Sequence, residues 1–150
     1  MGIIFNEDPN HFVHSAVLAG CTTVTEEMIR DYIRLFAGTN VTDFFVCVNA
    51  SMPYYPSQKQ PSVIDRYTSW EGTDWQTHYA TPEIALDGKL LRDLRDKGIN
   101  VFSVWLDEIR KCGMRGWISV RMNDIHEMEN CANAFLPSDL LVTPAKEFCS

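Results

Sequence analysis

Arg121, Asn123, Asp124 and His126 close the stretch Gly116-Trp-Ile-Ser-Val-Arg-Met-Asn-Asp-Ile-His126, which begins as an apolar run. A buried strand whose C-terminal end carries charged and amide side chains is where parallel α/β proteins place their ligand sites. Arg121 suits a bound carboxylate, or can hold a protein carboxylate in position. The amides of Asn123 and of Asn49 both donate and accept, which fits hydroxyl groups. Asp124 and His126 have the chemistry to orient a substrate or exchange protons. The alternative for this cluster is an internal Arg121–Asp124 ion pair with His126 in water.

Two further polar positions follow apolar runs. Asn6, Glu7 and Asp8 follow Gly2-Ile-Ile-Phe5, and Asn49 follows Val41–Val48. Asn and Asp also bond nearby backbone in turns, so turn chemistry is the plainer reading of Asn6 and Asp8. Trp70 and Trp75, flanked by Glu71 and Asp74, offer flat faces that could stack on a ligand or pack their segment onto the body. The chain lacks G-x-S-x-G, P-loop, G-x-G-x-x-G and H-E-x-x-H patterns. His11 and His14 lack a convincing third ligand, so neither a metal site nor a cofactor is expected.

The elements needed to position these groups are legible in outline. Gly2–Phe5 reads as a first buried strand, stopped at Pro9. Thr23 with Glu26 reads as a capping box, with Thr25 a competing N-cap. The helix that follows carries an apolar stripe at Met28, Ile29, Tyr32, Ile33 and Phe36, and Gly38 stops it. Val41–Val48 is apolar enough for a strand covered on both faces. Residues 50–81 read as one long, aromatic-rich irregular loop, a length that is often functional. Pro82 opens a helix through Ile84, Leu86, Leu90, Leu91 and Leu94, which Gly88 could divide and Gly98 ends. A further helix spans Ser103–Lys111, with Gly113 as its stop, and Trp117–Met122 is the third strand. The order β-α-β-(loop-α-α)-β implies an α/β fold with a parallel sheet and right-handed crossovers. All three polar strand ends then meet on one side of the sheet. Beyond the third strand the pattern weakens: 140–150 reads as an atypical tail, with Leu140–Val142 a short strand at most.

The chain of 150 residues fits a single α/β domain, 45 % hydrophobic and 22 % charged. A net charge of −7 disfavours nucleic acid and an acidic membrane surface as partners. It suits a neutral or cationic small ligand. Five scattered cysteines, never spaced C-x-x-C, indicate neither a disulfide framework nor zinc, and Cys47 reads as a small core residue. With no basic, apolar leader and no long apolar run, a cytoplasmic setting is the expectation.

At Ile4-Phe-Asn-Glu-Asp8 and at Gly116–His126 the chain resembles a family of uncharacterised glycoside-hydrolase-like (β/α)8-barrel proteins. In that family strand three ends in Arg-Met-Asn-Asp-x-His after a helix ending in Cys and Gly, matched here by Cys112 and Gly113. The resemblance spans roughly residues 2–139. It implies a carbohydrate-active protein with its site at the C-terminal ends of the strands. A complete barrel takes about 250 residues, so the chain reads as the first three units of an incomplete barrel. In glycosidases of this architecture the acid and nucleophile commonly lie on later strands. Asn6, Asp8, Asn49, Trp70, Arg121, Asn123, Asp124 and His126 are accordingly candidates for binding carbohydrate or another small polar ligand, with the catalytic residues unassigned. Two rivals remain: a free-standing α/β binding module without hydrolase activity, and an inactive remnant that self-associates through open sheet edges.

Overall fold

The computed structural model describes residues 2–49, 52–59, 61–78 and 81–121. Three strands, β1 (Ile3–Glu7), β2 (Val41–Asn49) and β3 (Arg115–Val120), form one all-parallel sheet in the order β1-β2-β3. Helices α1 (Pro9–Leu18) and α2 (Glu26–Arg34) connect β1 to β2. Helices α3 (Val63–Ser69), α4 (Trp75–His78), α5 (Pro82–Asp96) and α6 (Val101–Lys111) connect β2 to β3. The fold is α/β, built from successive β-α-β units like those of a barrel.

Register fixes which side chains share a face. Phe5, Phe44 and Gly116 lie abreast, as do Asn6, Phe45 and Trp117. The Phe44 face meets the helices. There Phe44, Val46, Ile29, Ile33, Leu90, Leu94, Trp105 and Ile109 form the dry core. Gly116 allows close approach to α6, since a Cβ at that position would lie 3.0 Å from Leu106 Cδ2. The other face carries Ile4 and Trp117 at 67 % and 47 % exposure, with Phe45 stacked on Trp117 at 5.9 Å. The expectation corrected among the described residues is that of a buried first strand, since Ile3 and Ile4 of β1 are exposed, whereas β2 is buried on this face at Asp43 and Cys47 and half-buried at Phe45. A short apolar run alone does not tell a covered face from one awaiting a cover.

That second face is concave. Ser119 Oγ donates to Asn6 Oδ1 at 2.9 Å, from β3 to β1 over the top of β2. Adjacent strands lie about 4.8 Å apart, so side chains two strands away meet only if the sheet curls towards them. At its lower end Asp43 accepts from Arg115 Nη2 at 2.6 Å and from Trp117 Nε1 at 2.9 Å. Arg115 foremost, then Trp117 and Thr42, hold the Asp43 carboxyl well below the usual carboxylate range. A depressed folded pKa contributes stability that is complete above the unfolded value, about 4, and is lost as pH falls below it. Thermal melts from pH 7 to pH 3 should therefore show a shallower acid loss for Asp43→Asn than for the wild type, from a lower starting Tm.

The helices start where local chemistry allows. Thr25, not Thr23, caps α2, accepting from Met28 N at 3.2 Å. Asn100 caps α6, which begins two positions earlier than the expected Ser103. Gly98 and Gly113 adopt positive φ after α5 and α6, as helix stops do. Three expectations are corrected. Residues 9–18 are helical, with Pro9 in the first turn, where the sequence reading has Pro9 only as a strand stop. The 50–81 stretch holds α3 and α4 in place of one irregular loop, because Ser62 and Asp65 form a reciprocal capping box. Gly88 does not divide α5: it is buried in the helix beneath the Tyr67 ring, where a Cβ would lie 2.8 Å from ring carbons.

The α2–α6 seam is fastened by charge. Buried Glu108 accepts from Arg34 Nε at 2.7 Å and Arg30 Nη1 at 3.0 Å, and Arg30 also bonds Asp107 and Glu26. No helix among the described residues is long and apolar enough to cross a membrane.

Candidate functional site

Asp8 stands between β1 and α1 as the N-cap residue, yet its side chain makes no capping bond. An Asp at this position ordinarily accepts from the N2 or N3 amide, a bond worth about 1 kcal/mol. Here the carboxylate turns away from the helix to Arg121, whose Nη2 lies 2.8 Å from Asp8 Oδ2. The side chain is 4 % exposed, and Oδ1 has no hydrogen-bond partner among the described residues. A local rule broken without local gain marks a candidate site, and here it leaves a buried acceptor open.

The strand ends supply the rest. Asn6 reaches the concave face and meets Ser119. The register slips between Cys47 and Asn49, so that Asn49 pairs with Val120. Such bulges re-aim the chain at a sheet rim. The slip leaves the Val48 carbonyl to accept from Tyr54 N at 3.0 Å, which folds 52–54 back over the strand end. The Asn49 carbonyl accepts from Arg121 N at 3.4 Å and from Cys47 Sγ at 2.9 Å. Burial pushes the Cys47 thiol up, with the Asp8 charge adding to it, so it remains a neutral donor and not a nucleophile. Burial, then the Asp8 charge, likewise pushes the Tyr54 hydroxyl up.

Asn6, Asp8, Asn49 and Arg121 therefore gather at one end of the sheet. Glu7 does not join them: strand alternation sends it to the helix side. There its Oε2 accepts from Tyr32 Oη at 2.7 Å and its Oε1 lies 3.1 Å from His11 Nδ1. Trp70 is held by other partners. His78 stacks on it at 5.0 Å and the Arg66 guanidinium lies 4.8 Å from its ring centroid, so this ring is packed against α3 and α4 residues. The Trp75 side chain and Asn123, Asp124 and His126 lie outside the described residues, as does 140–150. Ser119, Cys47 and Tyr54 escaped sequence reasoning. For Ser119 a usable signal existed, since it is a polar residue two positions after Trp117 and so on the same face of β3.

Chemically, the described end of the sheet offers an ion pair, an open carboxylate oxygen and two amides. Those groups can both donate to and accept from hydroxyl groups. Glycosidic cleavage needs two carboxyl groups across the scissile bond. Among the described residues Asp8 is the carboxylate at this end of the sheet that pairs with the end of β3, while Glu7 is engaged by Tyr32 and His11. No group of His, Cys, Asp and Glu among the described residues could hold a metal ion. No protein-family model matches the chain, and no curated protein matches it.

Proposed function

We propose that the chain binds carbohydrate at the C-terminal ends of its strands, as the N-terminal part of a glycoside-hydrolase-like barrel. The observation that carries this reading is the Asp8–Arg121 pair, buried at Asp8, linking the ends of β1 and β3 with one carboxylate oxygen open. A neutral polyol is the natural partner of such a set. Its hydroxyls donate to Asp8 and Asn6, and accept from Arg121 and the asparagine amides. Asn123, Asp124 and His126 extend the same proposed site. The concave face supports the barrel reading, since the interior of a barrel is the inside of such a curl. The catalytic acid and nucleophile of a whole hydrolase are proposed to lie on other strands. The direct test is binding of methyl hexopyranosides to the protein and to Arg121→Ala: a folded variant that binds as the wild type does removes Arg121 from the site.

A second reading rests on the apolar surface left open. Ile4 and Trp117 are exposed on the concave face and Ile118 on the helix side of β3, and β1 and β3 present edges unpaired among the described residues. Such edges recruit other strands. We propose that further strands or a second copy cover them. Light scattering of the 150-residue chain should show mass rising with concentration, and a monomer persisting at high concentration would contradict it.

A further inference from the structure

A cavity of ≈ 210 Å³ lies beside the strand-end pair, on the helix side of the sheet. Tyr54, Ile64, Leu91, Leu94, Ile99 and Phe102 line it. Leu91 and Leu94 are buried core residues and make a fixed floor. Tyr55 and Pro56, both exposed, stand at its mouth. The polar side chains on its border have work elsewhere. Arg95 donates to Thr68 Oγ1 at 2.8 Å and Asp96 Oδ1 at 2.9 Å, and Asn100 Oδ1 caps α6 through Ser103 N. A water inside would find few partners among these side chains, whereas an apolar cavity of about 150 Å³ is known to take up benzene. The space here is larger and fits a substituted six-membered ring.

We infer that this cavity binds one apolar ring of an organic ligand, and that Tyr54 joins it to the strand-end pair, so that a bound glycoside seats an aromatic aglycone there. Tyr54 is the wall common to both: it lines the cavity, and it lies close enough to Asp8 and Arg121 to feel their charges. Pro9, the next residue after Asp8, lines the cavity too. The ring site stands on the cavity alone, while the glycoside clause rests on the carbohydrate reading proposed above.

The test uses p-cresol, followed by NMR shifts of the isoleucine methyl groups in the full chain. Saturable binding should move Ile64 and Ile99, and should weaken by about tenfold or more in Ile64→Trp and Ile99→Trp. Both side chains are half-buried, so a larger ring can grow into the cavity while the floor stays in place. Ile64→Ala, which widens the space, should keep p-cresol and admit 2-naphthol, and this holds the test open if the filled variants do not fold. Absence of saturable binding to the wild type, binding unaffected in folded Trp variants, or loss of p-cresol from folded Ile64→Ala overturns the ring site. Paired methyl and phenyl hexopyranosides separate the two clauses. Phenyl glycosides binding about tenfold tighter than their methyl partners supports both. Methyl glycosides binding as tightly as phenyl ones overturns the aglycone clause and leaves the carbohydrate reading intact. Phenyl glycosides binding no tighter than p-cresol, with methyl glycosides silent, sinks the carbohydrate reading and leaves the ring site.

Discussion

Asp8→Asn is expected to weaken carbohydrate binding by tens-fold to about a hundredfold while leaving the fold intact. The size follows from hydrogen bonds to a charged group, worth about 1.5–3 kcal/mol each, at about 1.4 kcal/mol per tenfold. The substitution keeps the shape and removes the charge, so Arg121 loses its ionic partner and a ligand hydroxyl loses its strongest acceptor. Asparagine is as good an N-cap as aspartate. The side chain has no capping bond to lose, and the lost ion pair is offset by relieving a buried charge with one unsatisfied oxygen, so Tm should change little. If Asp8 and Arg121 act as one unit, Asp8→Asn combined with Arg121→Ala should cost little more than either alone. Calorimetric titration of the three variants checks this, and strictly additive losses would mean that the pair does not act together.

Trp105→Ala is expected to remove about 3–5 kcal/mol of stability, the range for deleting a buried large aromatic, and to lower Tm by roughly 10–15 °C. Trp105 is fully buried on α6. Its ring stacks on Tyr32 at 5.8 Å and meets Phe12 and Phe44 edge-on at 6.1 and 6.5 Å, which ties α1, α2 and β2 to the α6 crossover. Its indole Nε1 has no acceptor among the described residues. Trp105→Phe should therefore cost distinctly less than Trp105→Ala, because the smaller cavity is partly offset by removing an unsatisfied donor. Equal losses for the two would mean that ring packing is not what Trp105 contributes. Chemical denaturation with matched m-values measures both.

The strand and helix order was readable because apolar periodicity and stop signals agreed. Val41–Asn49 is continuous and β-rich, Pro82 opens α5, and Gly98 and Gly113 close α5 and α6. Helix α1 was hidden because Asn6–His11 carries both turn chemistry and a helix start, and sequence alone does not rank them. Helix α3 had a usable signal, Ser62 three residues before Asp65, but the surrounding prolines and aromatics outweighed it. At the site, the convergence of Asn6, Asp8, Asn49 and Arg121 followed from parallel topology. The departure of Glu7 followed from alternation and was available in principle. The Asp8–Arg121 pairing and the uncapped N-cap were not, because they depend on the curl of the sheet and the register slip after Cys47. Trp70 offers a flat face in the sequence, and only tertiary packing reveals that His78 and Arg66 are already against it.

The most direct test of the central claim is an amide NMR map of the full chain titrated with methyl hexopyranosides of glucose, galactose and mannose. The account predicts that at least one sugar gives saturable shifts centred on Asn6, Asn49 and Arg121, with Arg115 at the opposite end of the sheet unmoved. Sugars that shift none of the strand-end amides, or whose shifts centre on Trp70 instead, would contradict it.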